Sequence, residues 1–233
     1  MFEWFSSPEW QEALRIMELQ FGTALWETVY VTLLSTLFSL ILGLPLGILL
    51  VTGEKSGVLP LPRGVLRGID VGINLLRSVP FLILMIVVFP LTRLIVGTTV
   101  GTVASIVPLT IASFPFVARL VESSLREVDS HLIEMAQSMG ATPYQIIRKV
   151  MLPEALPSLV SNITIALTTI LGYTAMSGII GGGGLGKIAI DYGYYRYRYI
   201  VMVFAVLLLI LLVQLIQVLG TFFAKRLDHR TKK

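Results

Sequence analysis

Asp129 to Pro153 reads DSHLIEMAQSMGATPYQIIRKVMLP, and within it two short helix patterns meet at Gly-Ala-Thr-Pro. In the first pattern, Asp129 or Ser130 is placed to cap a helix running to Met139, with Leu132, Ile133, Ala136 and Met139 on one apolar face. Gly140 follows, in position for a left-handed C-cap. In the second, Thr142, Pro143 and Gln145 supply the N-cap, the first helical residue and the reciprocal acceptor of a capping box. Ile146, Ile147, Val150 and Met151 then make a buried face, Arg148 and Lys149 a polar one, and Pro153 is expected to stop the helix. The connection 120–155 therefore reads as a rigid knob, two helices meeting at a glycine knuckle, and not as a linker.

What the knob projects from follows from the rest of the chain. Of 233 residues, 55% are hydrophobic and only 14% charged, with mean hydropathy +0.83. A soluble domain carries about a quarter charged residues, so this composition argues against a water-soluble enzyme. With no cysteine, disulfides, thiolate metal sites and cysteine nucleophiles are excluded, and His131 and His229 are too far apart for a zinc motif. No catalytic residue, metal or cofactor is expected. Four uncharged intervals, 28–53, 94–118, 155–186 and 199–224, each exceed the roughly 20 helical residues that cross a hydrocarbon core. A fifth, 78–92, reaches about Thr98 if Arg93 snorkels to an interface. The expected fold is an all-α membrane protein with five transmembrane helices, near 27–50, 77–97, 98–119, 156–180 and 200–224. Pro45, Pro80, Pro90, Pro108 and Pro115 fall in or beside these intervals, where membrane bundles tolerate them.

Basic residues assign the sides. Lys55, Arg63, Arg67 and Arg77, then Arg119, Arg126, Arg148 and Lys149, then Lys225, Arg226, Arg230, Lys232 and Lys233 make thirteen of the 18 Lys and Arg residues on one side of the five spans. The positive-inside rule puts that side, with the C-terminus and the knob, in the cytoplasm and the N-terminus outside. Lys187, Arg196 and Arg198 in the 181–199 loop run against the rule, but Tyr192, Tyr194, Tyr195, Tyr197 and Tyr199 suit an outer interface. Residues 1–23 lack the basic start of a signal peptide and carry Glu3, Glu9, Glu12 and Glu18. Ser7 and Pro8 read as N-cap and first helical residue, with Trp10, Leu14, Met17 and Phe21 as an apolar face, so an external interfacial helix is expected there.

Glu134, Ala136, Gly140, Val150, Leu152 and Pro153 stand in the spacing E-x-A-x-x-x-G, nine residues, V-x-L-P. That spacing resembles the cytoplasmic EAA loop of permease subunits of ABC-type importers, with Met135 where the family usually has alanine. RSVPF at 77–81, VPLTIASFPFVAR at 107–119, GATPYQIIRKVMLPEAL at 140–156 and GYTAMSGIIGGGGLG at 172–186 resemble methionine-importer permeases in particular. The resemblance covers most of 25–225. It implies the type I ABC importer permease fold, with a permease domain at 24–225 and a basic cytoplasmic tail at 226–233. It further implies a transport subunit that hydrolyses nothing itself, coupled through the loop to two ATP-binding ATPase subunits and supplied by an external substrate-binding protein; a homodimer is expected separately, because five helices are few for enclosing a solute path. The docking role falls to Glu134, Met135, Ala136, Gln137, Ser138, Met139, Gly140, Ala141, Thr142 and Pro143. The expected cargo is methionine, D- or L-; the alternative is another amino acid or small organic solute. A passive channel has no use for such a loop, and a membrane scaffold with no transport role predicts intact uptake after deletion.

GGGGLGKI at 181–188 satisfies G-x-x-x-x-G-K but has Ile188 where a phosphate-binding loop needs Ser or Thr, and it follows a membrane helix and not a strand. Its glycines are expected to permit tight turns and close helix approach. No Asp, Glu, Lys or His lies mid-span, which disfavours an ion-coupled carrier. Thr168, Tyr173, Met176 and Ser177 are weak candidates for lining a translocation pathway. The tail's bases fit topology and anionic lipid, not nucleic acid.

Overall fold

The computed structural model describes residues 8–228, and every regular element among them is helical. The expected Ser7 cap and the tail bases Arg230, Lys232 and Lys233 lie outside the described residues. Helix α1, Pro8–Thr52, is 45 residues long. Residues 1–23 were expected as a separate interfacial helix, but from Pro8 on they are instead the first turns of α1. Nothing between Ile16 and Gly22 breaks the helix: the chain widens into a π-helical turn at Met17–Phe21, and Gly22 is itself helical at φ −61 and ψ −48. At 1.5 Å per residue α1 is about 68 Å long, more than twice a hydrocarbon core of about 30 Å. Its N-terminal apolar face centres on Ala13, Phe21 and Ala24, while the expected Leu14 is exposed.

The expected span 77–97 is not one helix. Arg77 closes α2, Arg63–Ser78, a helix within what reads in sequence as a plain connection. Val79 is extended, as a residue before proline prefers, and the chain resumes after Pro80 in α3, Phe81–Val87, and α4, Phe89–Val96. Gly97, at φ +84, ends α4. The next span, α5, is Ile106–Arg126, starting eight residues later than expected because Gly97 and Gly101 hold left-handed backbone before it. It then runs past Arg119. The knob's first helix, α6, is Ser130–Ser138. Helix α7 runs unbroken over Pro143–Ile180, so Pro153 does not stop it. A π-helical turn at Ile147–Met151 lies immediately upstream, and this wider turn makes room where a proline ring would otherwise meet the preceding turn. After the glycine run come α8, Gly184–Ile188, a π-helical stretch Ala189–Tyr195, and α9, Tyr199–Leu227. Among the described residues four helices are long and apolar enough to cross a membrane, five if the bent pair α2 and α3 counts as one.

The chain divides into two compact units. One gathers residues up to Thr36 with Phe81–Thr110 and Leu167–Ile216. Its interior joins Ala13, Phe21, Leu185, Ile188, Val201 and Ala205, and separately Val31, Ile106 and Leu109 beside the stacked rings of Phe81 and Tyr173. The other gathers Leu37–Pro80, Ile111–Ala166 and the residues from Gln217 onward. Its core is Val117, Val121, Leu125, Ile146, Met151 and Leu159, which fastens α5 to the knob and to α7. Here α1 and α5 approach so closely that a Cβ on Gly47 would lie 2.6 Å from the Ala118 carbonyl oxygen, a small-residue approach suited to helices in lipid.

Candidate functional site

The knob is capped on both sides of its turn. Asp129 caps α6 by accepting from the His131 amide at 2.9 Å. At the other end the Gly140 amide donates to Gln137 O at 2.9 Å and the Ala141 amide to Ala136 O at 3.1 Å, the paired bonds of a Schellman motif. Gly140 occupies its left-handed position at φ +77. Thr142 then starts α7 with both halves of the capping box: its Oγ1 accepts from the Gln145 amide at 3.4 Å, and Gln145 Oε1 accepts from the Thr142 amide at 2.9 Å. A C-cap and an N-cap thus meet with only Gly140 and Ala141 between them, leaving the turn no slack to bend.

Ile133, Ala136 and Ala141 turn inward onto the core formed with Ile146 and Met151, as the helix pattern requires. Glu134, Met135, Gln137, Ser138, Met139, Gly140, Thr142 and Pro143 are exposed, which brings eight of the ten expected docking residues onto one projecting surface. Met139 was expected on the apolar face of α6, and it is 81% exposed. It sits at the C-cap of α6, where the helix stops at Ser138 and Gly140 turns the chain away, so no further turn covers it. Leu132, Met135, Met139, Val150 and Leu156 border a groove of about 540 Å³. The knob thus carries an exposed apolar edge of methionines, side chains that adapt their shape to what they meet.

The pathway candidates all lie on α7, in differing surroundings. Tyr173 stacks on Phe81 at 4.5 Å, Met176 is exposed, and Thr168 is half-buried. Ser177 is fully buried; its hydroxyl donates to Thr174 O and its carbonyl accepts from the Gly182 amide, so it holds the end of α7.

Two constructions escape a reading of sequence alone. The glycine run does carry a carboxylate, but the chain's own: Glu27 Oε2 accepts from the Gly184 amide at 2.8 Å and Glu27 Oε1 from Thr102 Oγ1 at 3.1 Å. Thr28 Oγ1 accepts from the Leu185 amide at 2.9 Å. Two amides of the stretch are thus occupied by side chains of α1, and the glycines let it come near: a Cβ on Gly184 would lie 2.5 Å from Thr28 Oγ1. The second is a set of ion pairs linking Asp70, Arg119, Glu122, Arg126 and Glu54. The i, i+3 and i, i+4 spacing of Arg119, Glu122 and Arg126 was readable; their partners, distant in sequence, were not.

Long apolar helices joined in part by a capped knob between α6 and α7 define a multi-pass membrane protein. Residues 43–233 match the family described as binding-protein-dependent transport system inner membrane component, and this chain belongs to that family. It is a transport component of the inner membrane, not an enzyme. It is 53% identical to the probable D-methionine transport system permease protein MetI of Vibrio cholerae serotype O1, over 89% of this chain and 92% of that one. Its identity to the corresponding Pasteurella multocida protein is 47%, over 93% and 99%. A chain of the MetNI methionine ABC transporter, solved in inward-facing conformations, superposes with TM-score 0.89 at 44% identity, over 91% of this chain and 98% of that one.

Proposed function

We propose that this chain is the membrane-spanning permease subunit of an ATP-driven methionine importer. It works as a homodimer with two ATPase subunits and an external binding protein, coupled to the ATPases through Glu134 to Pro143. The observation that carries the reading is the likeness to the MetNI transporter, which extends over 98% of that chain at 44% identity. The knob supports it from the residues upward: a short body without slack passes on a push as a rigid displacement, where a loose loop would absorb it. With the bent pair α2 and α3 counted as one, the spans number five, an odd count that puts the termini on opposite sides, and the distribution of bases favours the N-terminus outside and the C-terminus in the cytoplasm. In that orientation the knob faces the compartment that holds ATP. Thr168, Tyr173 and Met176 are offered as lining of the path.

The test of cargo is competition. In vesicles holding this chain with its ATPase and binding protein, excess unlabelled D- or L-methionine suppresses uptake of labelled methionine, and other amino acids do not. Equal suppression by an unrelated amino acid moves the assignment to a permease of broader or different cargo.

A further inference from the structure

At the end of α5 that leads into the knob, charged side chains of the second unit form one connected array. Arg119 Nη2 donates to Asp70 Oδ1 and, at 2.9 Å, to Asn74 Oδ1, both on α2. Arg119 Nη1 donates to Glu122 Oε2 at 2.7 Å. Glu122 Oε1 accepts from Arg126 Nε at 3.1 Å and Nη2 at 2.9 Å, and Arg126 Nη2 also donates to Glu54 Oε1 at 2.6 Å, in the turn after α1. Glu122 is the centre, its side chain only 13% exposed and held by two guanidinium groups. On the opposite flank of α5, Asn162 Nδ2 of α7 donates to Ser124 Oγ at 2.8 Å and to Leu120 O at 3.1 Å.

Holding these helices together does not require charge. Val117, Val121 and Leu125 already pack α5 against α7 and the knob, and Ala118 packs it against Ile73 of α2. Apolar contact is non-directional and lets helices slide, whereas charge-assisted bonds to a guanidinium fix both distance and register. Half-buried ions also lose hydration that an apolar contact would not, so their return is in register more than in stability. The array therefore ties α2 and the turn at 53–62 to α5 at one fixed offset, and α5 ends three residues before Asp129 caps the knob.

We propose that the Asp70–Arg119–Glu122–Arg126–Glu54 array is a positioning linkage: it makes α2 and the 53–62 turn follow α5 when the knob is displaced, and so sets how much transport each hydrolysed ATP yields. The proposal rests on the importer reading above. The test uses the complete complex of permease, ATPase and binding protein in vesicles, with assembly, ATP hydrolysis and labelled methionine uptake measured together. Glu122→Gln and Asp70→Asn assemble and hydrolyse ATP, but methionine delivered per ATP falls about three- to thirtyfold for Glu122→Gln and less for Asp70→Asn, which loses one peripheral partner. Arg126→Lys keeps the charge but not the guanidinium fork that holds Glu122 and Glu54 together, so its yield per ATP falls while assembly and ATP hydrolysis are kept, a split that a role in stability alone would not give. If Glu122→Gln does not assemble, Asp70→Asn decides. An unchanged yield in assembled variants, beside ATP-driven uptake by the wild type, overturns the linkage alone. Absence of ATP-driven uptake in the wild-type complex overturns the importer reading and the linkage with it.

Discussion

Gly140 is where one residue's stereochemistry decides the shape of the knob. At φ +77 a Cβ would meet nothing within 4 Å, so space is not the constraint; backbone conformation is. An L-residue with a branched side chain pays about 1–2 kcal/mol for left-handed backbone, whereas asparagine tolerates it. Gly140→Asn is accordingly expected to keep near-normal coupling, and Gly140→Val to assemble with reduced uptake per ATP. Measuring hydrolysis and uptake on both variants checks this; equal behaviour of the two contradicts the left-handed requirement. This much was legible in the sequence, because a glycine directly before Ala-Thr-Pro has few other uses. Met139 was not legible: helical periodicity places it on the apolar face, but α6 ends at Ser138 and leaves it exposed.

Among the elements, what sequence conveyed best was where chains of local bonds begin. The Thr142–Gln145 capping box and the Asp129 cap are local patterns, and both form as their spacing dictates. What it conveyed worst was where helices fail to end. Pro153 breaks nothing because the turn before it is wide, and a π-helical turn has no spacing signature of its own. Helix α2 was hidden by Gly64, Gly68 and Gly72, which lower helix propensity, while Leu66, Ile69 and Ile73 supply the buried stripe that forms it. The contact of α1 with α8 belongs to the same class, since Glu27 and Gly184 are far apart in sequence. Glu27→Ala leaves the buried Gly184 amide without its acceptor, a loss of about 1–3 kcal/mol. The expected outcome is a lowered melting temperature of the purified complex, with Glu27→Gln intermediate because its amide oxygen still accepts. No change with alanine would show that the carboxylate does not fasten the glycine run.

For the molecule as a whole, composition announced a membrane bundle and the uncharged intervals announced its spans, but the short, broken α3 and α4 needed coordinates: the same apolar run suits one straight helix or two bent ones. The absence of native cysteine makes orientation directly measurable. A membrane-impermeant maleimide is expected to label Tyr194→Cys in intact cells, and Gln137→Cys only after the membrane is opened. The reverse pattern would invert the assigned sides and remove the knob from ATP.

The most direct test of the account is ATP-driven accumulation itself. Vesicles carrying this chain, its ATPase and its binding protein should concentrate labelled methionine above its outside level only when ATP is on the knob's side, and should lose that ability when the ATPase is inactivated by substitution. Accumulation independent of ATP, or mere equilibration that survives loss of the ATPase, would contradict the claim that the knob couples hydrolysis to transport.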